Sequence, residues 1–357
     1  MSLRFTHDAL PGRVRFGGGV VAETAAEVDR LGATRVLLVS RRGSAAGVTK
    51  RIADDLGGRC VGWFDDVTVH VPGDLAAAAV DAARQADADA LVCVGGGSAI
   101  GTAKIVAREL GTPIVAVPTT YAGSEMTPIW GTTTNGRKTT GRTLDVLPRT
   151  VLYDPDLTRS LPPKVSASSG MNALAHSVEG LYAPASDPVV RLLALESIRV
   201  LHDGLPRVVA NADDTAGRTS TLYGAYLAGA VLAGAGTSIH HTVAHILGGT
   251  WNLPHAPLHA ILLPHTVAFA APAVPAAMAQ AADVLGAADV PAALSDLLHT
   301  LDLDRALTSI GMPAAAFDAA VDAVMAADPV SPRPVTRDAV VTLLRGAFDG
   351  TPPPLAE

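Results

Sequence analysis

Between Thr219 and Ala282 the chain runs for 64 residues without an Asp, Glu, Lys or Arg. A stretch of that length has no formal charge to hold it at a water-facing surface, so most of it must be interior. It nevertheless holds six of the eleven histidines: His240, His241, His245, His255, His259 and His265. An imidazole in an apolar interior needs a partner, a metal or a substrate, because burying its nitrogens unpaired costs free energy. One such histidine is most simply a satisfied core side chain; six in one uncharged stretch point to a site. His241 and His245 are four apart and share a helix face. A turn at Trp251-Asn252-Leu253-Pro254 can return His255 to that face. Gly, Pro and His interruptions leave few runs of about 20 apolar residues, so the segment reads as buried helices and not as membrane spans.

Ahead of this segment the pattern differs. The apolar runs "RVLLVS" at 35–40, "CVGWF" at 60–64, "ALVCVG" at 90–95 and "PIVAVP" at 113–118 are strand-like. They alternate with helical patterns over Val48–Leu56, Asp74–Ala86 and Ala99–Leu110. That alternation predicts a doubly wound parallel sheet. Beyond Asp154 every strong pattern is helical: Ser169–Tyr182, Asp187–Leu201, Thr219–Leu232, Thr237–Leu247, Pro291–Thr300, Ala314–Ala327 and Thr336–Phe348. Asp and Pro cluster at Tyr153–Pro163, as at a boundary. The expected organisation is an α/β nucleotide-binding domain over 1–158 and an all-α catalytic domain over 159–357. A hydrophobic content of 48% with only 4% aromatics favours close helix packing over an aromatic-rich β-sandwich.

The net charge of −7 argues against nucleic acid as a partner. Cys60 and Cys93 fit no metal spacing or disulfide framework, as expected in a reducing compartment. The first residues lack the apolar core of a signal peptide. A cytoplasmic protein with no membrane or nucleic-acid partner is expected.

Two further stretches carry chemistry. "GGGSAIGTAK", Gly95 to Lys104, follows a buried strand and opens a helix. Glycines let backbone N–H groups approach an anion, and the helix N-terminus adds partial positive charge, so pyrophosphate is the natural occupant. Gly95, Gly97 and Gly101 are spaced one residue wider than the common G-x-G-x-x-G fingerprint, and no Walker-type Gly-Lys-Ser/Thr follows. "VPTTYAGSEMTPIWG", Val117 to Gly131, places Thr119, Thr120, Ser124 and Glu125 at the C-terminal end of the next strand, the edge where open α/β sheets bind ligands.

Together these residues resemble the iron-containing alcohol dehydrogenase superfamily, with its dehydroquinate-synthase-like fold, over essentially the whole chain. Within it, "VPTTYAGSEMTPIWG", "KTTGR" and "PRTVLYDP" look like the branch of NAD(P)H-dependent reductases that acts on an unsaturated keto-dicarboxylate. The resemblance implies a Rossmann-like parallel sheet binding NADH or NADPH through Ser40, Gly95, Gly96, Gly97, Ser98, Thr119, Thr120 and Ser124. It implies a homodimer and a small dicarboxylate substrate. The superfamily's metal enzymes hold Fe or Zn through one Asp and three His. Here the matching positions are Asn172, His176, His241 and His255, and His245 matches a histidine near the nicotinamide. Asn172 stands where the family has Asp. An amide carries no charge and is a weaker ligand for a divalent ion, so the reading is a vestigial site, with no metal required.

On this reading His176, His241, His245 and His255 do the catalytic work, offering N–H donors or an acid. Lys138, Arg142, Asn172 and Tyr121 hold the substrate, Arg in particular suiting bidentate carboxylate recognition. Ser40 ends the first strand where relatives often carry an acid. Arg41 and Arg42 follow it, so nothing acidic is expected to repel a 2′-phosphate. Two alternatives remain: a metal-dependent alcohol dehydrogenase of the same superfamily, and a lyase like dehydroquinate synthase.

Overall fold

The computed structural model describes residues 4–43, 45–69, 71–134 and 137–353, with only the backbone of Arg137 and Lys138. Two compact units are present: Ala9–Leu161, and the chain from Pro162 onward together with the segment up to Asp8.

The first unit contains strands β1 (Arg13–Phe16), β2 (Val36–Ser40), β3 (Cys60–Phe64), β4 (Ala90–Gly95), β5 (Ile114–Pro118), β6 (Ile129–Thr134), β7 (Arg137–Arg142) and β8 (Thr150–Tyr153). Its helices are α1 (Thr24–Arg30), α2 (Ala46–Leu56), α3 (Gly73–Gln85) and α4 (Gly97–Leu110). Six strands make one sheet in the order β1-β8-β5-β4-β2-β3, and every neighbouring pair is parallel. Strands β2, β4 and β5 are buried throughout, which is why they read as continuous apolar runs. Alternate residues Val36, Leu38, Val92, Val94, Val115 and Val117 form one core with Val28 of α1 and Ile52 and Leu56 of α2, the period of two that a pleated strand imposes.

Strands β6 and β7 form a separate antiparallel hairpin. From the sequence no strand is expected over 129–142; Asn135 and Gly136 lie outside the described residues. Two cations of α4 tie the hairpin down. The Arg108 guanidinium lies 4.0 Å over the Trp130 ring. The fully buried Lys104 ammonium donates to the carbonyls of Ser124 (2.6 Å), Thr127 (2.7 Å) and Ile129 (2.7 Å) and to Thr127 Oγ1 (3.0 Å). Burial pushes Lys104 down to about 7, with Glu125 acting the other way.

The second unit is helical: α5 (Pro163–Gly180), α6 (Pro188–Ala210), α7 (Thr215–Ala235), α8 (Ile239–Trp251), α9 (His255–Ala270), α10 (Pro275–Leu285), α11 (Val290–Thr300), α12 (Phe317–Ala326) and α13 (Arg337–Asp349). Helix α5 is buried from Ser166 to Gly180 and packs on α6, α7 and α9. The packing is close because small residues permit it: a Cβ on Gly180 would lie 2.1 Å from Val231 Cγ1, and one on Gly170 would lie 2.1 Å from Leu205 Cδ2. Helices α9 and α10 fall mostly in the stretch that the sequence reads only in general as buried helices, without ranges of their own. Helix α9 is apolar on every side and so shows no stripe. By length and composition the stretch His255–Ala273 would pass for a membrane span, yet 67% of it is buried inside the structure. It packs on α5, α8, α11 and α13 as a core helix.

His265 lies on α9 against α13, where a Cβ on Gly346 would come within 2.7 Å of its ring. Burial pushes its pKa down to about 4. The unfolded chain takes up that proton near the usual value of about 6.5, so between these limits the unfolded state binds more protons. Stability is therefore fully present above about pH 6.5 and is lost as pH falls towards about 4, by up to about 3 kcal/mol from this residue. His265→Leu should flatten the acid limb of stability measured by urea unfolding by about that amount. An unchanged slope would mean the imidazole meets water.

Candidate active site

In the α/β unit the sheet assembles the loop residues. Ser40 at the end of β2 aligns with Val94, and Gly95 at the end of β4 aligns with Pro118 of β5. The Thr119 N–H donates to the Gly95 carbonyl (3.1 Å). The chain leaves β2 for β3 on one side and leaves β4 for β5 on the other. The β2/β4 border is thus the switch point where open sheets bind ligands.

Each of the three glycines there has its own reason. Gly95 has a φ of 150°, and a Cβ on it would sit 2.9 Å from Ala99 Cβ. A Cβ on Gly96 would meet Thr120 Oγ1 at 2.8 Å. At Gly97 neither constraint holds, for a Cβ would touch only Ala122 Cβ at 3.7 Å. The protein itself does not require that glycine, which leaves space beside the first turn of α4. No side chain caps that turn, so it fits a pyrophosphate.

Other expected residues sit deeper. The Ser40 hydroxyl is wholly buried and accepts from Thr49 Oγ1 (2.9 Å). Arg42 is paired with Asp65 (2.6 Å and 3.1 Å), which overturns the expectation that nothing acidic lies near the end of β2. Tyr121 is fully buried, and Thr119, Thr120 and Ser124 are half-buried. Glu125 turns inward instead of facing a ligand edge: its Oε1 accepts from the Tyr153 hydroxyl (2.7 Å), and burial raises its pKa. Arg142 is exposed opposite Ile129 in the hairpin. The side chain of Lys138 lies outside the described residues.

The helical unit gathers the histidines. Asn172, His176 and Glu179 lie along one face of α5 and are all buried. Asn252, with φ 50°, turns the chain between α8 and α9. The His245 and His255 rings, both on exposed residues, then stack with centroids 6.2 Å apart. His259, one turn further along α9, has its ring 4.3 Å from His255 and 4.9 Å from His241. Two residues here escape the sequence reading. His259 is among its six histidines but not among its site residues. Glu179 was legible as the single acid in α5, three residues after His176.

Hydrogen-bond direction can be followed through the buried rings. Thr266 gives its hydroxyl proton to the carbonyls of Leu262 and Leu263 (3.0 Å each), so its oxygen accepts from His240 Nδ1–H (2.9 Å). His240 Nε2 is then a lone pair and accepts from His259 Nδ1–H (2.9 Å), which leaves His259 Nε2 as a buried acceptor with no partner among the described residues. Burial, and then neighbouring histidines, push both His240 and His259 well below the usual imidazole range. Both rings are therefore neutral, as this chain of single protons requires.

His241 is the centre of a second chain. Its Nδ1 meets Glu179 Oε2 and its Nε2 meets His176 Nδ1 (2.8 Å). His176 Nε2 in turn faces Asn172 Nδ2 (3.4 Å). Both nitrogens of His241 are thus engaged inside the protein, so the expectation that it offers an N–H to the substrate is corrected. These residues do not fit a divalent cation as arranged. The nitrogen that would ligate it on His241 is occupied, the donor at Asn172 is neutral, and among the described residues no group of three His, Cys, Asp or Glu is placed to hold an ion.

The two halves of the chain match the two domains of one family: residues 11–155 match "Iron-containing alcohol dehydrogenase" and residues 166–348 match "Fe-containing alcohol dehydrogenase family, C-terminal". The chain belongs to the iron-containing alcohol dehydrogenase family and is an oxidoreductase of dehydroquinate-synthase-like fold. Among its relatives, maleylacetate reductase 2 of Cupriavidus pinatubonensis is 49% identical over 96% of both chains. Maleylacetate reductase of Sphingobium indicum is 45% identical over 98% of this chain and 99% of its own. The crystal structure of maleylacetate reductase from Agrobacterium tumefaciens superposes with a TM-score of 0.95 at 39% identity, covering 99% of this chain and 100% of that one.

Gly97→Val should fold with an unchanged melting temperature, since a Cβ at Gly97 meets only Ala122 Cβ, at an ordinary 3.7 Å. It should lose NADH affinity by at least about tenfold in a fluorescence titration, because the branched side chain occupies the approach to the α4 amides. Wild-type affinity in the folded variant would make the loop merely structural.

Proposed function

We propose that this chain is an NAD(P)H-dependent maleylacetate reductase, converting maleylacetate to 3-oxoadipate in the breakdown of aromatic compounds. Relatives of that name at 45% and 49% identity over nearly the whole chain carry this reading. The glycine loop supports a nicotinamide dinucleotide, which when bound supplies hydride to the alkene carbon β to the ketone. Negative charge then develops on the ketone oxygen of the substrate as an enolate, and a proton must reach the adjacent carbon. Positioned donors stabilise such an oxyanion, and the proton needs an acid that titrates near the working pH. His245 and His255, exposed and stacked on each other, are suited to both tasks. Arg142 is suited to a substrate carboxylate.

An alcohol dehydrogenase must stabilise an alkoxide, a far more basic oxyanion than an enolate, and so gains more from a metal. Neutral Asn172 and the engaged His241 nitrogens support a reaction that needs none. A cytoplasmic homodimer using either NADH or NADPH completes the reading.

Steady-state oxidation of NADH should be rapid with maleylacetate, absent with simple aldehydes, and unchanged after exhaustive EDTA treatment. Arg142→Ala should raise KM for the dicarboxylate roughly 10- to 100-fold, the loss of a charge-assisted hydrogen bond, and leave KM for NADH alone. Activity abolished by EDTA and restored by Fe(II) or Zn(II) would make Asn172 a working ligand and this account of the site wrong.

A further inference from the structure

Glu179 is 1% exposed and has no basic side chain beside it on α5; what it meets is the start of α8. Its Oε1 accepts from the backbone N–H of His240 (2.7 Å) and more distantly from that of His241 (3.4 Å), while Oε2 meets His241 Nδ1. A carboxylate only accepts, so His241 carries its proton on Nδ1, and with the ring neutral Nε2 presents a lone pair. That lone pair can only accept, so His176 donates from Nδ1 across 2.8 Å. His176 Nε2 is then a lone pair as well, and the Asn172 amide, whose Nδ2 lies 3.4 Å from it, turns its NH2 towards it. The amide oxygen is left over. In keeping with this chain of protons, Asn172 Oδ1 is one of the few buried side-chain atoms with no hydrogen-bond partner among the described residues. A buried unpaired acceptor costs free energy until something donates to it.

We propose that Glu179 is a positioning residue that, through His241 and His176, orients the Asn172 amide so that its oxygen stands as an acceptor for an N–H or O–H donor on the bound ligand. The inference deepens the reductase reading and rests on it for the ligand's identity. Two donors have the right chemistry: the carboxamide NH2 of the nicotinamide, and the hydroxyl of the substrate's enol, formed when an acid such as His245 or His255 gives its proton to the enolate oxygen before the adjacent carbon is protonated. The proton-starved Nε2 of His259 makes the same demand on a neighbouring part of the histidine cluster. An acid-and-donor site alone would not strand two acceptors.

Glu179→Gln tests this because it is isosteric but reverses the chain. The glutamine carbonyl can keep the His240 N–H, while its NH2 donates to His241 Nδ1. That forces the proton of His241 onto Nε2, that of His176 onto its own Nε2, and the Asn172 oxygen towards His176. Two-bond 1H–15N spectra of histidine-labelled protein report the protonated nitrogen of each ring. We expect His241 as the Nδ1–H form in the wild type and as the Nε2–H form in the variant, with kcat on maleylacetate lowered at least tenfold and an unchanged melting temperature. NADH affinity in the absence of substrate separates the sources: a fall of about tenfold assigns the donor to the carboxamide, and an unchanged affinity with reduced kcat assigns it to the enol. The Nε2–H form of His241 in the wild-type spectrum overturns the proposal without any variant. So does a variant with wild-type kcat and affinity. Because the spectra are read on the free protein, the predicted tautomers with no turnover of maleylacetate would refute the substrate and leave the positioning intact.

Discussion

Buried imidazoles such as His176, His240, His241 and His259 cannot enter an apolar interior unless each ring proton has somewhere to go, and that constraint shapes the helical unit. The bonds run in one direction only: into Thr266 from His240, into His240 from His259, and between Glu179 and the start of α8. Replacing any of these anchors by an apolar group would strand a buried nitrogen, at a cost of about 1–3 kcal/mol. The absence of charge from Thr219 to Ala282 follows from the same requirement. A lysine or aspartate in α8 or α9 would need its own buried partner, and the one acid that serves these rings comes from α5.

The α/β unit is governed by close backbone approach. Gly96 and Thr120 occupy one another's space, Gly95 takes a φ that few side chains tolerate, and Thr119 bonds back to Gly95. Behind them Lys104 gathers four oxygens of the 124–129 segment. A buried ammonium is tolerable only because those acceptors replace its water. The result is a loop held rigidly from behind, with open space in front of Gly97, where a ligand's phosphates and not the protein decide what fits.

Much of this was legible in the chain. The buried strands β2, β4 and β5 announce themselves as apolar runs, and the i, i+4 spacing of Asn172 with His176 and of His241 with His245 puts each pair on a shared face. The turn that returns His255 beside His245 could be read from Asn252-Leu253-Pro254. The short edge strand β1, its neighbour β8 and the Thr-rich hairpin have weak apolar patterns, and α9 has apolar residues on all sides, so periodicity was silent there. Hydrogen-bond direction lay beyond reach because it depends on which atoms meet. The sequence reading took His241 for a substrate-facing donor, whereas its two nitrogens are spent on Glu179 and His176. Asp65 beside Arg42 is likewise a contact between the segments that follow β3 and β2, which no local pattern reveals.

The central claim is that this oxidoreductase acts on a conjugated double bond and leaves the neighbouring carbonyl intact, which is why a cluster of imidazoles and an amide can serve where a metal carboxylate site is otherwise used. The most direct test is to reduce maleylacetate with NADH carrying deuterium at both C4 positions of the nicotinamide and to locate the label by NMR. The account predicts deuterium on the carbon β to a retained ketone, with a solvent proton on the carbon between them. Deuterium on a carbon that bears a new hydroxyl group would contradict it.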